Sequence, residues 1–216
     1  MKSLCVLLFF LLSISSSFGQ SIFLGLNGGG RTNNQPPPFY ETTHYTNPYF
    51  VGAMADFELP HHLGLTVDLI YNPHAYAPYA FYGSQVGYTY TSARANIWEV
   101  PFLVSYGKPI GKIKPFVTGG LAFRLTHGST DNDSSYQDIF GGEVTSSHSH
   151  TLMNWPTTYG IVGGGGARFK LGPFYLTPEL RYTQWNQGIS FTNQYISFTS
   201  TKKQLQVLVS VAVRIR

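Results

Sequence analysis

The last segment of the chain, KKQLQVLVSVAVRIR, constrains the fold more than any other. Leu205, Val207, Val209, Val211, Val213 and Ile215 are apolar, and Gln204, Gln206, Leu208, Ser210, Ala212 and Arg214 alternate with them. A side-chain period of two belongs to a β-strand. Such a strand must lie where its two faces meet different surroundings. Either the apolar face covers a protein core and the other meets water, or the apolar face meets lipid and the other turns inward.

The beginning of the sequence restricts the compartment. Lys2, the apolar run LCVLLFFLLSI and the small residues of SSSFGQ have the order of a secretory signal peptide. We therefore expect residues 1–19 to be a signal peptide and 20–216 one domain. Cys5 is the only cysteine, so disulfides cannot staple that domain. No later segment reaches the run of about 18 apolar residues that a transmembrane helix needs.

Composition then favours lipid over water. Charged residues make up 11% of the chain, against about 25% in ordinary soluble domains. Aromatic residues reach 16%, mostly Tyr and Phe. Apart from Lys2, basic residues exceed the ten acidic ones by only three and are dispersed. That pattern excludes an electrostatic nucleic-acid surface, so no nucleic-acid partner is expected.

Eight β segments are legible, near 21–30, 47–59, 63–72, 94–106, 113–126, 157–170, 173–186 and 202–216. Each approaches or exceeds the nine to eleven or so residues that carry a tilted strand across a bilayer. The connections alternate in length. PHHLG, GKPIGK and KLGP are short, with Pro and Gly as turn residues. Long polar stretches separate them, among them NPHAYAPYAFYGSQVGYTYTS and HGSTDNDSSYQDIFGGEVTSSHSHTLMNWP. Short turns on one side and long loops on the other are the plan of an outer-membrane barrel, with the long loops external.

The faces agree with that plan. Trp98, Val100, Phe102, Val104 and Tyr106 share one face of their segment, opposite Glu99, Leu103 and Ser105. Leu176, Leu180 and Tyr182 oppose Thr177, Glu179, Arg181 and Thr183. We expect Phe102, Val104, Leu180, Val207, Val209, Val211 and Val213 to face lipid. Unpaired backbone groups are costly in hydrocarbon, so the last strand should pair with the first and close the ring. Aromatic residues near the strand ends, such as Tyr49, Trp98, Tyr159 and Tyr106, suit interfacial girdles.

Two segments carry a family resemblance. WEVPFLVSYG and GPFYLTPELRYTQW, with a Glu-apolar-Pro strand and a Glu-apolar-Arg-Tyr strand, resemble the bacterial outer-membrane β-barrel domain family. The resemblance implies a small barrel of the OmpA-transmembrane-domain or OmpX kind: all-β, eight-stranded, antiparallel and up-and-down. It implies the cell outer membrane of a Gram-negative cell, membrane lipid and the barrel-assembly machinery as partners, and no particular activity.

Candidate chemistry is sparse. GIVGGGGAR and GLNGGGR lack the spacing of a phosphate-binding loop, and their glycines suit tight curvature. His148 and His150 would share one side of an extended segment, the beginning of a metal pair. No fixed Asp or Glu partner is evident, so they read as solvated histidines and no metal is expected. Ser and His are common in the long stretches, but no GxSxG elbow accompanies them. An enzyme is therefore not expected, nor a cofactor.

The strong constellation is inward charge: Asp56, Glu58, Asp68, Glu99, Arg124, Arg168, Glu179, Arg181 and Arg214. Eight strands leave an interior just wide enough for side chains, so these charges read as a structural network. Counted from the short turns, Asp56, Glu58, Arg168 and Arg214 fall low. Asp68, Glu99, Glu179 and Arg181 fall in the middle, where acids outnumber bases, and Arg124 falls higher. The expectation is a monomeric, non-enzymatic scaffold presenting its long loops to an extracellular ligand. A narrow channel, a loop-borne lipid-modifying enzyme and a secreted lipocalin-like barrel are the alternatives.

Overall fold

A computed structural model describes residues 21–32, 48–76, 79–84, 87–137, 144–154, 156–188, 190–192, 197–199 and 202–215. The expected signal peptide lies outside the described residues. Among the described residues there are twelve strands, in chain order: β1 (Ile22–Arg31), β2 (Tyr49–Glu58), β3 (Leu63–Tyr76), β4 (Tyr79–Ser84), β5 (Gly87–Tyr106), β6 (Ile113–Gln137), β7 (Val144–Asn154), β8 (Thr158–Leu171), β9 (Phe174–Trp185), β10 (Ser190–Thr192), β11 (Ser197–Thr199) and β12 (Lys203–Arg214).

Eight of them close a ring in the order β1–β2–β3–β5–β6–β8–β9–β12, every pairing antiparallel. The closing seam runs from Phe23 opposite Arg214 to Arg31 opposite Gln206. The fold is thus the closed eight-stranded antiparallel barrel that the alternating pattern requires.

Polarity is inverted relative to a soluble protein. Outward residues are apolar and exposed: Leu26 at 71%, Ile161 at 66% and Val207 at 59%. Val209, Val211, Val213, Val104 and Leu180 are exposed on the same surface, and Phe102 is half-buried there. Asn27, Asp68, Asn72, Glu99, Arg124, Glu179, Arg181, Gln204, Gln206 and Ser210 are buried inside. A lipocalin-like barrel would have the reverse arrangement. Apolar side chains also enter the lumen, in groups such as Leu103, Ala122, Val162 and Trp185, and Phe50, Ile70 and Leu208.

The tight turns gather at one end. Between β2 and β3, His61 and His62 both take left-handed backbone conformations, with φ of 62° and 67°. The turn is closed by Leu59 N–H donating to the Leu63 carbonyl at 3.0 Å.

At the other end the structure departs from the expected loops. β5 has 20 residues and β6 has 25, roughly twice what the wall needs. The last β6–β8 pair is Arg124 with Thr158, yet β6 continues against β5 as far as Tyr136 opposite Gly87. β4 adds to the free edge of β5, and β7 to that of β6. A four-stranded sheet, β4–β5–β6–β7, therefore projects beyond the barrel. The physical reason is local. GYTYTSARAN alternates Tyr with Thr, and both favour strands. The β6 run HGSTDNDSSYQ has no such pattern and is held extended by its pairing with β5. Polarity signals exposure here, not irregular backbone.

Candidate functional site

The interior charges form three tiers. In the tier nearest the long loops, Glu99 sits among two arginines and two glutamines. Arg31 Nη1 donates to Glu99 Oε1 at 2.8 Å, and Arg124 Nε donates to the same oxygen at 3.2 Å. Gln206 Nε2 donates to Glu99 Oε2 at 3.1 Å. Arg124 Nη2 donates to Gln204 Oε1 at 2.6 Å, and its guanidinium lies 3.6 Å from the centre of the Trp185 ring. Arg31 Nη2 also donates to Asn72 Oδ1.

The middle tier centres on Arg181. Its Nε and Nη2 donate to the two Glu179 oxygens at 2.6 and 2.9 Å, a bidentate fork. Its Nη1 donates to Asp68 Oδ2 at 2.5 Å, and Asn27 Nδ2 donates to the other Asp68 oxygen at 3.1 Å. Nearest the turns, Arg168 Nη2 donates to Asp56 Oδ2 at 2.5 Å, and Lys114 Nζ donates to Glu58 Oε1 at 2.7 Å. Thr66 Oγ1 donates to Asp56 Oδ1 at 2.8 Å.

Eight of the nine charges anticipated from sequence occupy these tiers. Arg214, on the inward-facing side of β12, is exposed at the turn-end mouth. Glu99 lies with Arg124 in the upper tier and not with Asp68 and Glu179, because β5 and β3 are staggered so that Glu99 faces Ile70. Arg31 and Lys114 are the residues that sequence reasoning missed. Arg31 is hidden in a glycine segment, yet shares its parity with Phe23 and Asn27, both buried. Lys114 likewise shares the parity of Arg124. With them, five acids face five bases across the three tiers.

Such an interior can fix the barrel's shape, since each carboxylate of the three tiers is engaged by an arginine or a lysine. A cavity of about 20 Å³ below Arg181, lined by Thr66, Ser105, Thr118 and Ser210 among others, has room for water only. Two tiers separate it from the long-loop end. Among the described residues, no group of three or more His, Cys, Asp or Glu is arranged to hold a metal.

Outside the wall, the projecting sheet does supply the histidines with carboxylates. His150 stands opposite Asp131 and His148 opposite Asp133 across β6 and β7. Each Nδ1 lies 2.5 Å from a carboxylate oxygen. The hydrogen bond and charge of Asp133 raise the pKa of His148 above the ordinary histidine value. The sequence could have suggested this, since residues at period two in DNDSS and HSH pair once a hairpin is assumed.

Neither a protein-family model nor a curated protein sequence matches the chain. Solved structures do, at low identity. Neisserial surface protein A is 12% identical, with 91% of this chain and 97% of that one covered and a TM-score of 0.45. A major outer membrane protein from Thermus thermophilus is 11% identical, over 90% and 99% of the two chains, with a TM-score of 0.48. The N-terminal β-barrel domain of Pseudomonas aeruginosa OprF is 12% identical, over 92% and 98%, with a TM-score of 0.41. These are likenesses of overall fold. By its own strand pairings this chain is a small, closed, eight-stranded antiparallel β-barrel with a charged interior.

Proposed function

We propose that this protein is an outer-membrane β-barrel that anchors a projecting β-sheet at the cell exterior and works as a non-enzymatic interaction scaffold. The observation that carries this reading is the combination of an apolar outer wall with a sheet that continues past it. A wall with Leu, Val and Ile on its outer surface suits hydrocarbon, where only helices and closed barrels satisfy their backbone groups. The sheet β4–β5–β6–β7 bears Tyr, Ser, Thr and Asn, residues that serve adaptable binding surfaces. Its outer strands, β4 and β7, end the sheet among the described residues. An extended polypeptide segment can add to such an edge, so a protein ligand of that kind is the partner we favour.

The test is fractionation followed by labelling of intact cells. The mature protein should require detergent for extraction and should migrate differently before and after boiling. An epitope at Asp133 should be reached by antibody from outside, and one between His61 and His62 should not. Recovery as a detergent-free soluble protein would overturn the membrane reading. The opposite labelling pattern would overturn the orientation.

A further inference from the structure

The charges of this barrel are sorted along its axis. Of its ten acidic residues, Asp56, Glu58, Asp68, Glu99 and Glu179 are spent inside the lumen. Asp131 and Asp133 stand on the projecting sheet. None lies in a tight turn. The turn end instead presents Lys108, Lys112, Lys170 and Arg214, all exposed. The carboxylates nearest that end among the described residues, Asp56 and Glu58, are engaged by Arg168 and Lys114.

The three lysines belong to adjoining turns. Lys170 N–H donates to the Lys112 carbonyl at 3.3 Å, which sets the β8–β9 turn beside the β5–β6 turn. The same two turns expose large apolar side chains: Ile110 at 70%, Leu171 at 55% and Phe174 at 50%. Lys108 and Lys112 lie in the turn itself, and Lys170, opposite Tyr175, lies on the lumen-facing side of β8 at its mouth, so the cations crown the end of the wall next to this apolar band. Such a rim is a surface for an amphiphile. Lysine stems can lie along the apolar edge while their ammonium groups reach outward. A soluble anionic polymer would match the charge and leave the exposed Ile, Leu and Phe unaccounted for.

We propose that the rim formed by Lys108, Lys112 and Lys170 binds the phosphodiester headgroups of anionic phospholipids, and selects them over zwitterionic ones in the leaflet that the turns face. The inference rests on the membrane reading given above. The lysines supply point charges for the phosphate oxygens, while Ile110, Leu171 and Phe174 pack against the first methylenes of the acyl chains. Each basic residue near an anionic surface is worth about 1 kcal/mol, which is roughly a fivefold change in affinity.

Native mass spectrometry of the mature barrel folded in detergent tests this, by titration with phosphatidylglycerol or phosphatidylcholine. Wild type should favour phosphatidylglycerol, and the preference should shrink as ionic strength rises. Lys108→Gln, Lys112→Gln and Lys170→Gln should each reduce it about fivefold, and the triple change should remove it. Lys202→Gln with Lys203→Gln, at the opposite end, should leave it intact. A preference that survives the triple change, or that vanishes with Lys202 and Lys203 instead, overturns the proposal. So does equally tight binding of glycerol phosphate, which lacks acyl chains. The shift in migration on boiling is scored on every sample. A wild-type chain without that shift has failed the membrane reading, whereas a folded barrel without lipid preference has failed this proposal alone.

Discussion

Two neighbouring glycines show how finely position decides a residue's role. A Cβ on Gly164 would lie 2.5 Å from the Leu180 carbonyl oxygen and 3.2 Å from the Arg181 Cα, whereas one on Gly163 would meet nothing within 4 Å. Gly164→Ala should therefore destabilise the barrel by about 1–3 kcal/mol, the usual cost of overpacking. Gly163→Ala should be neutral or stabilising by up to about 1 kcal/mol, because glycine weakens a strand interior. Urea unfolding in lipid vesicles distinguishes them, and equal effects would contradict the inward and outward assignment. Arg181 is decided by its partners. Arg181→Met leaves Asp68 and Glu179 buried without their shared cation, a loss of about 3–5 kcal/mol. Glu179→Gln added to it should recover part of that loss, since one stranded charge is then removed. A double variant no more stable than Arg181→Met would mean that the tier is not electrostatically coupled.

At the scale of the element, β12 carries its period-two pattern through the full depth of the wall. Val209, opposite Pro178, lies mid-strand, and Val213, opposite Phe174, lies at the turn end. Val209→Arg should cost about 2–4 kcal/mol in a bilayer if it sits near the midplane, and Val213→Arg about 0–1 kcal/mol. Folding titrations of both variants check this, and a reversed order would place the bilayer elsewhere on the barrel. The β6–β7 hairpin carries a different device. The pKa of His148 is raised in the folded hairpin. The stability it lends is therefore complete below about pH 6.5, its unfolded value, and is lost as pH rises through the folded value. Amide exchange across residues 131–150, corrected for intrinsic rates, should show greater protection at pH 6 than at pH 8.5. In His148→Asn that difference should diminish; a difference that grew instead would remove His148 from the explanation.

For the whole molecule, the balance of five acids and five bases matters more than any one pair. A neutral, cross-linked interior fills the narrow space that eight strands enclose. The wild-type barrel should accordingly pass no steady current in a planar bilayer. An ion-selective open state that Arg181→Met alters without loss of stability would overturn the closed scaffold and favour a channel. The projecting sheet adds long-range pairing beyond the closed wall, so removal of its tip should leave the wall intact. A variant in which residues 131–150 are replaced by a short Gly/Ser linker should keep the shift in migration on boiling.

The sequence by itself determined the wall. Period-two alternation in LQVLVSVAVRI and WEVPFLVSY, the low charge content and the alternation of turn lengths fix eight strands and the sign of each face, because side chains in a strand have only two directions. It also marked Asp68, Glu99, Glu179 and Arg181 as inward. What it could not supply was stagger. Ring closure sets how far each strand slides past the next, and only that slide brings Arg31 and Arg124 to Glu99 and leaves Asp68 and Glu179 to Arg181. The same holds for the sheet beyond the wall. The Tyr and Thr of its β5 segment alternate as strands do, but polar segments become strands only when an edge is available to pair with. That edge exists because β5 and β6 already lie side by side in the closed barrel.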